Sequence, residues 1–409
     1  MIDTTSTATA TSDPAMTPSS LSPMEDHAPV VESGLPRLPS LTGLRWWAAL
    51  IVVFHHSIEG FVGAGYVKVR HFQTMASGGY LGVTLFFVLS GFVLTWAWND
   101  RESKLSFYVR RFARIYPLYV LSIALFVWFT VKFLHQPFSL KATVASLLLV
   151  QAFIPYREFY TRPSGVAWSL SCEAFFYLMM PMIMSRLWTA RTRALLWTMV
   201  CATIWLVAVP TVVMATVHDG NFGRGFELNP IYRIGEFVIG ICLAMLMRGG
   251  WRPNWNPHVV AVGLVVDYAV AAEALRLAFK HGWSLNASRY VASFIFLPAV
   301  VIAVAAFASA DLQGKRTLVS NGTTVTLGEW SYAMYLSHVP ILYLVSRIWV
   351  LPKFGPLNVS LPAQLAREVI IVLVCVAVAG ILHKYLEMPA NRAIRGWFVR
   401  RERARAATG

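Results

Sequence analysis

The sequence predicts an all-α polytopic membrane protein: ten transmembrane helices and one re-entrant or interfacial helix, with both termini cytoplasmic. Three observations predict it. Of 409 residues, 56% are hydrophobic and only 13% charged, with a mean hydropathy of +0.56, a composition foreign to ordinary soluble domains. Apolar runs near the length that crosses a bilayer recur along almost the whole chain. Lys and Arg gather in short loops that a single orientation brings to one side. The net charge of +15 therefore reflects membrane topology, and it carries no argument for a nucleic-acid partner. The fifteen tryptophans suit interfacial belts or the core.

Eleven apolar segments are readable, at about 44–63, 80–98, 115–134, 141–154, 169–186, 194–217, 232–248, 258–280, 290–309, 330–350 and 367–387. The fourth is too short to cross, since a span needs roughly 17–25 residues. With 141–154 left out, the loops around Arg110/Arg111/Arg114, Arg186/Arg191/Arg193, Arg248/Arg252 and Lys315/Arg316 all face the cytoplasm, as does the Arg-rich C-terminal segment. Residues 1–36, rich in Ser, Thr, Pro and Ala, are expected to form a disordered tail without a cleavable signal. Residues 37–390 form the ten-span domain, and 391–409 a basic cytoplasmic tail. No internal repeat is apparent, which counts against a secondary transporter. Cys172, Cys201, Cys242 and Cys375 lie in apolar stretches without paired spacing and read as small buried hydrophobes, not as metal ligands.

The first span carries Arg45 and His56, eleven residues apart. That is almost three helical turns, so both point the same way, roughly 16 Å apart along the axis. Ionisable groups at such depth are costly and mark a bundle interior or a wet cavity. His56 is thus the first candidate for chemistry, and Arg45 for holding an anion. His55 is rotated by about 100° from His56 and is expected to pack. Arg111 and Arg114 share a helical face and are able to grip phosphates bidentately; binding lipid headgroups is the competing reading. In the fifth span Glu173 falls roughly 7 Å below the outer boundary and His56 roughly 10 Å, so the two are able to meet. A carboxylate there would fix the imidazole tautomer. Tyr177 lies one turn from Glu173, and His338 lies near mid-membrane in the ninth span. Arg233 with Glu236, and Glu273 with Arg276, have the spacing of self-neutralising pairs. Asp267 has no evident role. Packing accounts for any one of these residues alone; Arg45 with His56 on one face does not reduce to packing so easily.

From about residue 38 to 392 the chain resembles the integral-membrane O-acyltransferases of acyltransferase family 3. The resemblance rests on an ordered set of motifs: Leu44-Arg45 with His56, Phe86-Phe87-Val88-Leu89-Ser90-Gly91-Phe92, Arg111-x-x-Arg114-Ile115-x-Pro117, and Trp168-Ser169-Leu170 with Glu173, Tyr177 and Pro181. Arg233 with Glu236-Phe237 and Gly240 follows, then Ser331-Tyr332, Tyr335-Leu336 and His338, and finally Glu387-x-Pro389. Thr42 departs from the pattern, standing where many members carry an aspartate.

The resemblance implies a multi-pass protein of the bacterial cytoplasmic membrane. It would transfer an acyl group, often acetyl, from acyl-CoA to a hydroxyl of a sugar, cell-surface glycan or macrolide-type secondary metabolite. A thioester is already activated, so such a reaction needs mainly a base for the acceptor hydroxyl and donors for the developing oxyanion. On this reading His56 is the base, oriented or assisted by Glu173. Arg45, Arg111 and Arg114 hold the CoA phosphates, and Tyr177, Ser169 and His338 line the acceptor or oxyanion site; no metal is called for. The rival reading is a flippase or exporter of a glycolipid or acylated sugar, in which the buried charges form a translocation path.

Overall fold

The computed structural model describes residues 35–62, 74, 76–132, 137–217, 219–345 and 361–408; all but the last two residues of the expected N-terminal tail lie outside that range. Every apolar segment read from the sequence holds a helix in its described part. The elements are α1 (Pro39–Val62), α2 (Leu81–Trp96), α3 (Lys104–Lys132), α4 (Leu140–Leu147), α5 (Arg157–Thr161), α6 (Trp168–Leu187), α7 (Thr192–Thr216), α8 (Gly220–Glu227), α9 (Pro230–Arg248), α10 (Pro257–Lys280), α11 (Leu285–Leu312), α12 (Gly322–Val345), α13 (Leu361–Leu382) and α14 (Met388–Thr408). No strand occurs among the described residues.

Helix starts follow local chemistry. Asn229 caps α9 through the Ile231 amide and Asn256 caps α10 through the His258 amide, each with proline in the first helical position. Such a cap satisfies an otherwise orphaned donor, and proline there loses no hydrogen bond. Segment 141–154 resolves into the eight-residue α4 and a single turn at Gln151–Phe153. At about 1.5 Å per residue, α4 is far too short to cross a bilayer.

Among the described residues six helical stretches are long and apolar enough to cross: Lys104–Lys132, Thr192–Thr216, Gly220–Arg248, Pro257–Lys280, Leu285–Leu312 and Leu365–Ala406. The chain is thus a multi-pass membrane protein. On α7, Trp197, Val200 and Ile204 are exposed, and on α10, Val259, Val262, Val266 and Val270. Their spacing of three or four residues puts each set on one outward stripe, where lipid tails replace water. The helices α1, α6 and α12 are of spanning length but fall short in hydropathy. The reason is local: these three carry Arg45 and His56, Ser169 and Glu173, and Glu329 and His338.

Two crossings bring backbones close together. A Cβ on Gly91 of α2 would overlap the Phe237 carbonyl of α9, and one on Gly240 of α9 the Val88 carbonyl of α2. Where α1 crosses α12, Gly328 lies against the Thr42 carbonyl in the same way. Small residues at such points let apolar helices associate where no water drives them together. Beside these crossings, Arg233 bonds the Glu236 carboxylate at 2.9 Å and the Glu227 carbonyl at 2.8 Å. Thr84 of α2 donates to Glu236 at 3.1 Å, and Arg224 pairs with Glu227. Buried charges of both signs so tie α8, α9 and α2 together. Arg276 likewise pairs with Glu273.

One reading needs correction. Cys201 is exposed on the outward side of α7, whereas the other three cysteines are buried; its helix has a single buried stripe, and Cys201 lies off it. The basic C-terminal segment is helical. After a π-helical turn at His383–Glu387 it continues as α14, which packs along α3.

Candidate active site

Two cavities take in most of the sequence-predicted site residues. The first is lined by Arg45, Arg111, Arg114, Glu173 and Tyr177, together with Ser90, Ser169, Ser331, Tyr332 and Tyr335. Arg45 comes from α1, Arg111 and Arg114 from one face of α3, and Glu173 and Tyr177 from successive turns of α6. Tyr177 donates to Glu173 at 2.5 Å. None of the three arginines forms an ion pair or a hydrogen bond with a described residue, and Arg111 Nε is buried without a partner. The charged groups acting on Arg45 are Arg114, Glu173 and Glu387. Three guanidiniums against two carboxylates leave an excess of positive charge in a low-dielectric cavity, which favours an anion.

The second cavity is lined by His56, with Phe126, Phe129, Val339 and Tyr343 as an apolar floor and Arg157, Glu158 and Arg162 of α5 and the following loop as a polar rim. Glu158 accepts from Ser139 at 2.5 Å, and Arg162 donates to the Pro137 carbonyl at 3.2 Å.

Beside this cavity His56 meets His338, which is itself fully buried. His338 Nδ1 lies 2.7 Å from the Tyr335 carbonyl, and His56 Nδ1 lies 2.9 Å from the Val52 carbonyl. A carbonyl only accepts, so both rings carry their proton on Nδ1. His338 Nε2 is then an acceptor, 3.2 Å from His56 Nδ1, and shares that proton with Val52. His56 Nε2 is left with its lone pair. His55 is turned away: its Nδ1 reaches the Ala76 carbonyl at 2.5 Å, as its rotation on the helix predicts.

The partner that the sequence suggested for His56 is not the one it has. Glu173 faces the arginine cavity and Tyr177, while His338 occupies the place beside His56. The depth estimate located Glu173 along the membrane normal, but it carried no information on which neighbour each helix face meets.

Tyr335 separates the two cavities. Its hydroxyl donates to the Val166 carbonyl at 3.1 Å and accepts from Ser169 at 2.8 Å. Ser169 and Tyr335 line the first cavity and Val166 lines the second. Tyr335 precedes His338 by three residues, so the two share a face of α12, and their rings are 5.8 Å apart between centroids. That spacing was the available signal for adding Tyr335 to the site. Arg157 and Arg162 gave none, because residues around a short loop have no periodicity to read.

Comparison with known proteins adds the chemistry. The chain is 32% identical over 378 residues to the acyltransferase MdmB of Streptomyces mycarofaciens, covering 88% of this chain and 92% of that protein. It is 24% identical to the O-acetyltransferase OatA of Staphylococcus aureus and to the peptidoglycan O-acetyltransferase OatA of Listeria monocytogenes, covering 87% of this chain in each case. It spans only 57% and 56% of those two proteins. No solved structure matches. Residues 38–384 match the acyltransferase domain model, a stretch that holds both cavities and every predicted site residue, and the chain therefore belongs to acyltransferase family 3.

Proposed function

We propose that the protein is an acyl-CoA-dependent O-acyltransferase of the bacterial cytoplasmic membrane, with ten spans and both termini in the cytoplasm. Its acceptor is a hydroxyl of a carbohydrate, a cell-surface glycan or a secondary metabolite, and its acyl group is in the first instance acetyl. The observation that carries the donor is the set of three guanidiniums, Arg45, Arg111 and Arg114, left without ion-pair partners around one cavity. Phosphate oxygens are the ligands such planar donors fit best. Glu173, held by Tyr177, offsets part of this charge until the donor arrives.

The reaction needs little more than what surrounds the partition between the cavities. The acceptor hydroxyl gives its proton to His56 Nε2 as its oxygen attacks the thioester carbonyl. The Val52 carbonyl and His338 Nε2 both accept from the opposite side of the ring, so the imidazolium is stabilised as it forms. Ser169 and Tyr335, whose hydroxyls sit where the cavities adjoin, turn their protons from their present acceptors to the developing oxyanion. The carbonyl re-forms, the C–S bond breaks, and the CoA thiolate takes the proton back from His56. The apolar floor and polar rim of the His56 cavity suit an acceptor with both an apolar face and hydroxyl groups.

A flippase or exporter would need neither thioester binding nor an ester product. Purified protein in nanodiscs, given radiolabelled acetyl-CoA and a panel of sugar and macrolide acceptors, should bind the donor and release free thiol together with a labelled ester. Folded protein that binds no acyl-CoA and forms no ester, even with cell extract as acceptor, would replace this reading with the transporter.

A further inference from the structure

Arg110 and Arg395 line neither of the two cavities described above, yet they add positive charge beside Arg111 and Arg114. Arg110 immediately precedes Arg111 on α3 and is one helical turn from Arg114. It pairs with Glu102. Arg395 projects from α14, which packs along α3, near enough for Arg110 and Glu102 to act on its charge. The start of α3 thus gathers four guanidiniums, from Arg110, Arg111, Arg114 and Arg395, against the carboxylate of Glu102. Two polar atoms there also lack partners among the described residues. They are Glu102 Oε1 and, one turn before Arg395 on the same face of α14, Asn391 Oδ1, both buried.

On the acyl-CoA reading of the first cavity, we infer that Arg110 and Arg395 hold the adenosine 3′-phosphate of the donor. The division of labour follows from the shape of CoA. The acyl-pantetheine arm must enter the bundle, so the diphosphate at its far end lies with Arg45, Arg111 and Arg114. The nucleotide then remains at the mouth, where a second phosphate monoester needs its own cations. A guanidinium pair suits it, and the open acceptors on Glu102 and Asn391 suit the ribose hydroxyl and the adenine amine. Arg395 lies on the C-terminal helix, beyond residues 38–384 that match the family. An anionic lipid headgroup would offer the same phosphate chemistry to the same arginines, and the test must separate the two sources.

The test is equilibrium binding of CoA and of 3′-dephospho-CoA to the full-length protein in nanodiscs, with phosphatidylcholine alone or with added phosphatidylglycerol. The wild type should bind CoA about tenfold or more tighter than the dephospho form, as a lost charge-assisted contact implies. Arg395→Gln should collapse that ratio towards one, and Arg395→Lys should restore part of it. A folding defect would weaken both ligands alike and leave the ratio as it was. If the wild type binds both forms equally well, the inference fails while the donor reading stands. If it binds neither, the donor reading itself fails. A preference that survives in Arg395→Gln would overturn the assignment. So would a variant altered only in its response to phosphatidylglycerol, which would give Arg395 to the lipid.

Discussion

His338 Nε2 lies 3.2 Å from His56 Nδ1, with each ring anchored by its own Nδ1 to a backbone carbonyl one turn or less away. The two histidines come from helices α12 and α1 and are 282 residues apart. The contact works in one direction only. It secures the Nδ1–H tautomer of His56 and leaves Nε2 as the nitrogen able to take a proton.

His338→Ala removes that acceptor while keeping His56. Its kcat should fall by about 10- to 100-fold, the worth of a hydrogen bond to a group that becomes charged. The Kd for acyl-CoA should hold, since His338 is remote from the arginines. Single-turnover kinetics beside donor binding would check both.

The arginines should behave in the opposite way. Replacing Arg45, Arg111 or Arg114 singly by Gln should raise the KM for acyl-CoA by about 10- to 100-fold, with a smaller change in kcat. Donor binding by the wild type should weaken less with added salt than a surface site would, because the cavity is only partly open to screening. Titrations of each variant across ionic strength would measure both effects.

Tyr335→Phe keeps the ring between the two cavities and removes its hydroxyl. If that hydroxyl steadies the oxyanion, kcat should drop by about a hundredfold or more with donor KM little altered. A variant with wild-type kcat would confine Tyr335 to packing.

Gly240→Leu tests the fold and leaves the chemistry aside. The new side chain would run into the Val88 carbonyl of α2, and overpacking of this kind costs about 1–3 kcal/mol or more. The variant should unfold at a lower temperature in detergent than the wild type, whereas Gly263→Leu, on the open surface of α10, should not.

Most of the helices were legible because lipid imposes a length and a composition on every span, and each of the eleven apolar segments holds a helix in its described part. The fourth segment was marked as non-crossing by its length and by the loop charges on either side of it. Hydropathy understated α1, α6 and α12 because the site's own polar groups, Arg45, His56, Glu173 and His338 among them, sit on these helices. Within the site, Arg45, Arg111 and Arg114 were individually readable from spacing. The pairing was not. Periodicity gives the face of a helix a residue occupies, but which other helix faces it depends on crossings such as Gly328 against Thr42, and no local pattern encodes those. Hence His56 was matched by depth to Glu173, while the packing of α1 on α12 gives it His338.

The most direct test of the account is His56→Ala, assayed for acyl transfer and for donor binding in the same preparation. Transfer should fall by about 10²- to 10⁴-fold, the usual worth of a positioned base, with acyl-CoA bound as tightly as by the wild type. A folded His56→Ala protein that binds acyl-CoA and still transfers acyl groups at the wild-type rate would contradict it.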